Sequence, residues 1–338
     1  MQKLIYAIGT LVAALILVGL LLPRQPRVEV SAAIDAPAAT VFALVDDPRR
    51  VNLWSPMTRK DPNARIVYFG PARGHGAGMT WDGTIIGSGT QIITTSTPFE
   101  RVETTINPGS GEDSRCWFEL TANNALTTVT WGIETDYGYN LVGRYVALFL
   151  DDVIRREHEA GLRGLKDLAE SLPRADFSGI EIEHISVEAT DIAYLPTTSR
   201  PEPAAISEAM GKAYYRILGF IDENGLQEAG APMSVMQSFS GAELQFDAAI
   251  PVNGITAETP RDSGPVKLGR TYSGPVIRIR HTGSYRNLAE THRKIAAYIA
   301  ALGLRRAGPP WESYVSDPTR VPEADLQTYL YYPVQPDP

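Results

Sequence analysis

The second half of the chain contains two copies of one pattern, and this repeat constrains the fold more than any other feature. The matching segments are GLQEAGAPMSVMQSF (225–239) with GLRRAGPPWESYVSD (303–317), and LQFDAAIPV (244–252) with LQTYLYYPV (326–334). Each copy predicts a strand, a helix and two strands, with helices at about 203–224 and 287–302. A repeat of this length that occurs only twice predicts a pseudo-twofold domain and not a solenoid. Two such halves would join their sheets and leave a pocket at the pseudo-axis.

The segment GPPWESYVSDP (308–318) contains the strongest candidate for a binding residue in that pocket. Strand alternation puts Glu312 and Tyr314 on one face and Trp311 on the other. A strand glutamate ordinarily faces solvent, and that alternative stays open here. The repeat, however, aligns Glu312 with Ser234, so a neutral position in one copy is anionic in the other. We therefore predict that Glu312 is buried in a pocket.

The predicted ligand-binding residues come from both copies of the repeat. They are Ser234 and Met236 from the first copy and Glu312 and Tyr314 from the second, with Trp311 as a wall from the adjoining face. A carboxylate in such an apolar, aromatic setting would suit a cationic ligand, because aromatic faces attract cations.

The second half resembles the gyrase-inhibitor-like domain, also called the AraC-type effector-binding domain, over predicted bounds of 178–335. The resemblance rests on GAPMSVMQSF, VIRIRHTGSYRNLAETHRKIAAYIAALGL, GPPWESYVSDP and EADLQTYLYYPV. It implies that Glu312 sits in a pocket and pairs with cationic, lipophilic ligands. It also implies an alternative, because some relatives hydrolyse small strained lipophilic molecules with a pocket glutamate as general acid or base. Members that regulate transcription carry a helix-turn-helix domain, which this chain lacks, so direct gene regulation is not expected.

The preceding region, 27–173, predicts a strand, two short helices, six strands and a long amphipathic helix at about 140–172. A sheet of this size should pack around that helix. The region resembles the helix-grip family of START/polyketide-cyclase-like proteins, also called SRPBCC, through IDAPAATVFALVDDPRRVNLWSP, GAGMTWDG and STPFERVETTI. The resemblance implies a lipophilic cavity between the sheet and the long helix. His158 lies on the apolar face of that helix, and we predict that it is a core histidine.

The N-terminal region, 1–26, predicts a membrane anchor. Residues 4–22 form an uncharged run of 19 residues, which as a helix reaches roughly 28 Å and matches the hydrocarbon thickness of a bilayer. A cleaved signal is the alternative, with SAA at 31–33 as its site, but that site lies inside the first predicted strand. We predict a single-pass protein of the inner (cytoplasmic) membrane with both domains on the extracytoplasmic side.

The composition of the chain argues against several classes of partner and cofactor. The formal net charge of −8 and the lack of a basic cluster argue against nucleic acid as a partner. Cys116 is the single cysteine, so no disulfide forms within the chain and no cysteine-rich metal site is possible. No nucleotide, metalloprotease or nucleophile-elbow motif is present, so we predict no cofactor and no metal and assign no catalytic residue.

These observations predict a membrane-anchored α+β protein of two domains. The leading hypothesis is a binding module for hydrophobic small molecules, cationic ones included, with a second lipophilic cavity in the helix-grip domain. The first alternative is a hydrolase acting on small lipophilic compounds, with Glu312 as general acid or base. The second alternative is a scaffold whose pockets are collapsed.

Overall fold

The computed structural model describes residues 2–109, 111–123, 126–260 and 264–335. Met1, the first residue of the predicted anchor range, lies outside them. The chain divides into two compact units, the first comprising residues up to Ser178 together with Ala296–Leu302, and the second comprising Gly179–Ile295 and the residues from Gly303. Each unit contains helices and one antiparallel sheet, which confirms the α+β class.

A long apolar helix opens the first unit, and a sheet of seven strands follows. The helices are α1 (Gln2–Leu21), α2 (Ala38–Val45), α3 (Pro48–Trp54), α4 (Pro56–Lys60) and α5 (Leu141–Ser171). The strands are β1 (Arg27–Ile34), β2 (Arg65–Phe69), β3 (Gly78–Gly83), β4 (Gly87–Thr97), β5 (Arg101–Asn107), β6 (Ser114–Asn123) and β7 (Leu126–Thr135). Their order across the sheet is β1-β7-β6-β5-β4-β3-β2.

Three short helices, not the predicted two, lie between β1 and β2. The additional one is α4, which starts at Pro56. The side chain of Ser55 accepts a hydrogen bond from the Met57 amide and caps this helix. Serine as a cap followed by proline at the first helical position is a favourable helix start. A third short helix therefore begins directly after α3.

The long helix α5 packs on the sheet through a stripe of buried residues that includes His158, Leu162 and Leu165. Beneath it, Trp131 lies between Trp54 and the imidazole of His158, with ring centroids 5.6 Å and 4.1 Å away. These large rings pack closely in edge-to-face and stacked contacts. His158 is therefore part of the aromatic core, as the sequence indicated.

The second unit is built on a sheet of ten strands with two main helices. The helices are α6 (Pro203–Glu223) and α7 (Leu288–Leu302), and the last part of α7, Ala296–Leu302, belongs to the first unit. The strands are β8 (Ile182–Val187), β9 (Asp191–Ser199), β10 (Gln227–Glu228), β11 (Met233–Phe239), β12 (Leu244–Asn253), β13 (Lys267–Arg270), β14 (Gly274–Thr282), β15 (Arg305–Arg306), β16 (Trp311–Tyr314) and β17 (Gln327–Gln335). The main order is β13-β9-β12-β11-β16-β17-β14-β8, with β10 beside β12 and β15 beside β17.

This strand order has the symmetry that the repeat predicts. One half contributes β9, β12 and β11, the other contributes β14, β17 and β16, and the two meet where β11 pairs antiparallel with β16. At that junction Ser234 lies directly opposite Glu312. Because the repeat also makes these two positions equivalent, the pseudo-twofold axis passes between them.

The two faces of the second sheet have different environments. We call the face that carries Ser234 and Glu312 the helix face, because α6 packs there through residues such as Ile217 against Phe246 and Ala248 of β12. On the opposite face, which we call the outer face, Trp311 packs in a cluster of buried apolar residues with Ile192, Met233, Ala249 and Val276. The alternation of side chains along β11 and β16 assigns each residue to one face.

Candidate ligand-binding site

Glu312 lies at the middle of the helix face and is mostly shielded from solvent. Its side chain is 15% exposed, and the side chain of His292, which α7 brings to it, is 20% exposed. Removing a carboxylate from water costs several kcal/mol unless it is hydrogen-bonded. The carboxylate of Glu312 therefore depends on the donors around it.

Two side chains hydrogen-bond the Glu312 carboxylate. His292 Nε2 lies 2.6 Å from Oε1, and the Tyr314 hydroxyl donates to Oε2. His292 Nδ1 in turn contacts the hydroxyl of Tyr332. A neutral imidazole protonated at Nε2 satisfies both contacts, because Nε2–H donates to Glu312 while Nδ1 accepts from Tyr332. The result is a chain from Tyr332 through His292 to Glu312, closed on the other side by Tyr314.

The tyrosines of this cluster stay protonated. Burial, followed by the negative charge of Glu312, raises the pKa of Tyr314 well above its usual value, while a hydrogen bond with Ser234 acts against this. Burial and the Glu312 charge also raise the pKa of Tyr214 on α6. The pKa of Tyr332 is raised by burial as the largest cause. At neutral pH these hydroxyls are therefore donors and cannot act as anionic nucleophiles.

The structure brings four of the five predicted site residues to the helix face. Glu312 and Tyr314 hydrogen-bond each other, and Ser234 is the cross-strand partner of Glu312. Met236 lies two residues further along β11, opposite Phe246, and so shares the face of Ser234. Their role in binding a ligand remains a prediction.

Trp311 is the exception, and its predicted place as a pocket wall needs correction. Its side chain lies on the outer face, where it stacks on Tyr331 with ring centroids 4.8 Å apart and planes 5° from parallel. The physical reason is the alternation of the strand, which sends Trp311 and Glu312 to opposite faces of one sheet. A sheet is a continuous layer, so Trp311 cannot reach the Glu312 side.

Three residues of the site were missed in the sequence: His292, Tyr332 and Tyr285. The ring of Tyr285, in the turn before α7, packs edge-on against Tyr314 with centroids 5.6 Å apart. A signal for His292 was present, because it precedes the buried Ile295 by one helical turn on α7. Residues three apart share a helix face, so His292 belongs to the face that packs on the sheet.

A small pocket lies in the region of the first unit where the sequence predicts a lipophilic cavity. A cavity of about 30 Å³ lies under the N-terminal half of α5, lined by residues that include Val28, Ile133, Ala147 and Leu150. That volume holds about two water molecules. The aromatic residues around Trp131 occupy the deeper space between the sheet and α5.

Within the described ranges, no group of three or more His, Cys, Asp or Glu side chains is placed to hold a metal ion. The groups that meet at the candidate site are a carboxylate, an imidazole and phenolic hydroxyls. Such a set can accept or donate protons and can pair with a cation.

Protein-family models match both parts of the chain. Residues 25–170 match the family described as polyketide cyclase / dehydrase and lipid transport, and residues 181–335 match the GyrI-like small molecule binding domain. These matches confirm the order of the two resemblances found in the sequence. None of the curated proteins compared with the chain matches it.

Several solved structures are similar to parts of the chain. The C-terminal domain of EcmrR is 12% identical, with a TM-score of 0.39, and the match covers 47% of this chain and 99% of that one. An uncharacterized conserved protein from Listeria innocua is 17% identical, with a TM-score of 0.36 and coverage of 46% and 92%. A complex of EcmrR with DNA is 12% identical, with a TM-score of 0.43 and coverage of 60% and 87%.

Proposed function

We propose, on the premise that this chain joins a domain of the polyketide cyclase / dehydrase and lipid transport family to a GyrI-like small molecule binding domain, that it is a membrane-anchored protein that binds small lipophilic molecules. The proposed site is on the helix face of the second sheet. The observation that carries the proposal is one shielded carboxylate, Glu312, held by His292 and Tyr314 at the axis of the duplicated sheet.

The charge of Glu312 would select cationic ligands. A carboxylate can accept about four hydrogen bonds, and two side chains contact it as donors among the described residues. Capacity for a further partner therefore remains. A lipophilic cation would supply the opposite charge, and the rings of Tyr285 and Tyr314, which pack together beside it, would add roughly 0.5–2 kcal/mol each through cation–π contact.

The test is calorimetry with tetraphenylphosphonium as the lipophilic cation and triphenylphosphine oxide as a neutral aromatic probe. Glu312→Gln keeps the shape of the side chain and removes its charge. We expect it to weaken binding of the cation about tenfold or more, which is ~1.4 kcal/mol, and to leave binding of the neutral probe nearly unchanged. Equal affinities of wild type and Glu312→Gln for the cation would refute the electrostatic role.

Glu290→Gln is the matched control for this experiment. Glu290 lies on the exposed side of α7, where it pairs with Lys294, so the substitution removes the same charge from the surface of the same unit. We expect it to leave both affinities unchanged. If neither probe binds wild type or either variant, the scaffold alternative gains over the binding module.

A hydrolase is the second candidate function, and the 2.6 Å contact between His292 Nε2 and Glu312 favours it. A carboxylate paired with an imidazole can act in general acid–base catalysis. Turnover of a small lipophilic ester or epoxide by wild type, lost in Glu312→Gln, would support this function. Binding without turnover supports the binding module.

For the first unit we propose a second lipophilic ligand between the sheet and α5. Because the cavity there is about 30 Å³, such a ligand would require α5 to move away from the sheet. Nucleic acid is not among the partners that we propose, since the formal net charge is −8 and phosphate binding needs basic clusters.

We further propose that α1 is an uncleaved anchor in the inner (cytoplasmic) membrane, with both units on the extracytoplasmic side. The support is a helix whose span Lys3–Leu21 is long and apolar enough to cross a bilayer. A signal sequence has the same features, so N-terminal sequencing of membrane-extracted protein separates the two. We expect an intact N-terminus, and a mature chain beginning near Ile34 would contradict the anchor.

A further inference from the structure

The first half of α5, residues 141–153, exposes apolar side chains along one line of the helix. The exposed residues are Val142, Val146, Phe149 and Val153, and we call them the α5 stripe. They follow one another at spacings of four, three and four residues, which is one face of an α-helix. Val142 is 73% exposed and Phe149 is 79% exposed. Large apolar side chains in such a contiguous, exposed row mark an interaction surface.

Several residues on the other sides of these turns contact the sheet or α1, and Leu148 is exposed as well. Ala147, Leu150 and Ile154 face the sheet and wall the small cavity. Leu141 and Tyr145 face α1. The stripe therefore has no role in the core of the unit. Charged residues flank its last member, Val153, because the sequence continues from Leu150 as DDVIRRE.

Contacts between α5 and α1 set the level of the stripe relative to the apolar helix. The hydroxyl of Tyr145 donates to the carbonyl of Leu15 at 2.6 Å. Leu15 precedes Leu21, the last residue of α1, by six residues, which is about 9 Å along a helix. Gly19 makes this approach possible, because a Cβ at that position would lie 3.1 Å from the ring of Tyr145.

Arg144, the one charged residue in Leu141–Leu150, is turned away from the stripe. Its guanidinium is buried and bonds the carbonyls of Gly19, Leu20 and Leu22 at 3.2–3.3 Å. Carbonyls at the end of a helix have no partner within the helix, and a cation is favourable beside them. The guanidinium of Arg144 thus caps the C-terminal end of α1. The other side chains of these turns carry no charge.

We propose that the α5 stripe is immersed in the membrane that α1 spans, among acyl chains at the boundary with the headgroups. This inference rests on the anchoring of α1 proposed above. Continuity argues for lipid over a protein partner, because α1, whose apolar side chains are exposed, contacts α5 directly through Leu141 and Tyr145. Tyr139, 90% exposed just before the helix, suits the interface, where tyrosine is enriched. Immersion would also bring the small cavity to the level of the membrane surface.

The test measures lipid contact in the full-length protein. Single cysteines at Phe149 and, separately, Val142 are labelled with bimane, and the proteins are reconstituted in phosphatidylcholine and phosphatidylglycerol vesicles. Cys116 does not need removal, because it is buried and burial raises its pKa to about 12, which leaves no reactive thiolate. Quenching by brominated acyl chains reports lipid contact, and quenching by iodide reports water.

Two reference positions make the result decisive. Leu11→Cys, in the middle of α1, reports whether the anchor is inserted, and Asp167→Cys, exposed in the C-terminal half of α5, reports water. We expect brominated lipid to quench the labels at 149 and 142 at least about half as strongly as the label at 11, because an interfacial helix lies ~5–10 Å deep. The label at 167 should not be quenched by brominated lipid.

The outcomes separate the stripe from the anchor. Quenching by lipid at 11, with quenching by iodide alone at 149 and 142, would overturn the immersion of the stripe and leave the anchor standing. Protection of 149 and 142 from both quenchers would mean that a second copy or another protein covers the stripe, which also overturns it. Absence of lipid quenching at 11 would refute the anchor, and the immersion of the stripe with it.

Discussion

At the scale of single residues, one imidazole determines how the carboxylate of Glu312 is held. His292 is the only residue that joins the carboxylate of Glu312 to the hydroxyl of Tyr332 among the hydrogen bonds of the described residues. A buried polar group that loses its partner costs roughly 1–3 kcal/mol. The loss of His292 would therefore affect two neighbours at once.

We expect His292→Phe to lower the free energy of unfolding by about 1–3 kcal/mol, because an oxygen of Glu312 and the hydroxyl of Tyr332 both lose a partner. His292→Gln should recover part of this loss, since its amide can donate to the carboxylate. Urea denaturation of the three proteins measures the difference. Equal stability of His292→Phe and wild type would show that the network contributes nothing.

His158 in the first unit predicts a loss of stability in acid. Its pKa is lowered to about 4, chiefly by burial, so between its ordinary value near 6.5 and about 4 the unfolded chain binds the proton and the folded chain does not. Stability therefore falls as the pH falls through this window, by up to about 3 kcal/mol. His158→Phe keeps the ring beside Trp131 and should lose less stability between pH 7 and pH 4 in urea denaturation. A parallel decline of both proteins would contradict this.

Asp46 must be taken into account in that measurement, because it titrates in an overlapping pH range. Its effect on stability has the opposite sign to that of His158. Burial raises its pKa to about 6, so the folded chain holds this proton more strongly and the stability contributed is lost as the pH rises through about 6. The acid sensitivity of wild type sums these two groups and every other group whose pKa differs between the folded and unfolded chain. Comparison of His158→Phe with wild type isolates the histidine.

Side chains of the site differ in how far the sequence could predict them. Strand alternation was sufficient to pair Glu312 with Tyr314, and the repeat was sufficient to oppose Ser234 to Glu312, because both are local or symmetric relations. His292 depends on how α7 is rotated and placed over the sheet. That placement follows from the packing of many side chains, so a reading of the helix alone indicates the face but not the partner.

At the scale of elements, two helical glycines have different surroundings, one closely packed and one open to solvent. Gly164 on α5 lies where a Cβ would come within 2.6 Å of the carbonyl oxygen of Trp54 at the end of α3. Gly211 on α6 has no atom within 4 Å of that position. Glycine therefore lets α5 approach α3, whereas on α6 it only weakens the helix.

We expect Gly164→Ala to destabilise the protein by about 1–3 kcal/mol, because the new methyl group meets backbone that cannot rotate away. Gly211→Ala should stabilise it by about 0.5–1 kcal/mol through better helix propensity. Thermal unfolding of the two variants checks the opposite signs. A stabilising Gly164→Ala would mean that α5 and α3 separate easily.

The lengths of α5, α6 and α7 were predicted to within about two residues, because each carries a clear apolar stripe. The volume of the space under α5 cannot be derived from the sequence, since it depends on how Trp54, Phe118 and Trp131 fit together. Exposure of the α5 stripe was likewise not evident, because apolar periodicity predicts a face that packs and does not say against what.

At the scale of the whole molecule, the pairing of the two halves of the duplicated sheet at the pseudo-twofold axis can be tested by mutation. Ser234 and Glu312 are directly opposed, and opposed side chains on antiparallel strands have Cβ atoms about 4.5–5.5 Å apart. A second carboxylate at Ser234 would restore the chemical symmetry of the two halves at the cost of charge repulsion.

We expect Ser234→Glu to be less stable than Ser234→Gln by about 1–2 kcal/mol at pH 8, because like charges on opposed strand positions repel. The difference should shrink toward pH 4 as the pair takes up protons. Urea denaturation of both variants at the two pH values measures it. A difference that does not change with pH would mean that it does not arise from repulsion between the two carboxylates.

The covalent fusion of the two halves has a consequence for stoichiometry. Any assembly of two identical subunits about a twofold axis must carry each near-axis charge in duplicate, so a lone anion beside the axis is forbidden by symmetry. A single polypeptide that contains both halves escapes this rule, because each half can differ at one position. Ser234 beside Glu312 is such a difference, and it allows one monovalent guest per chain to be neutralised by one charge.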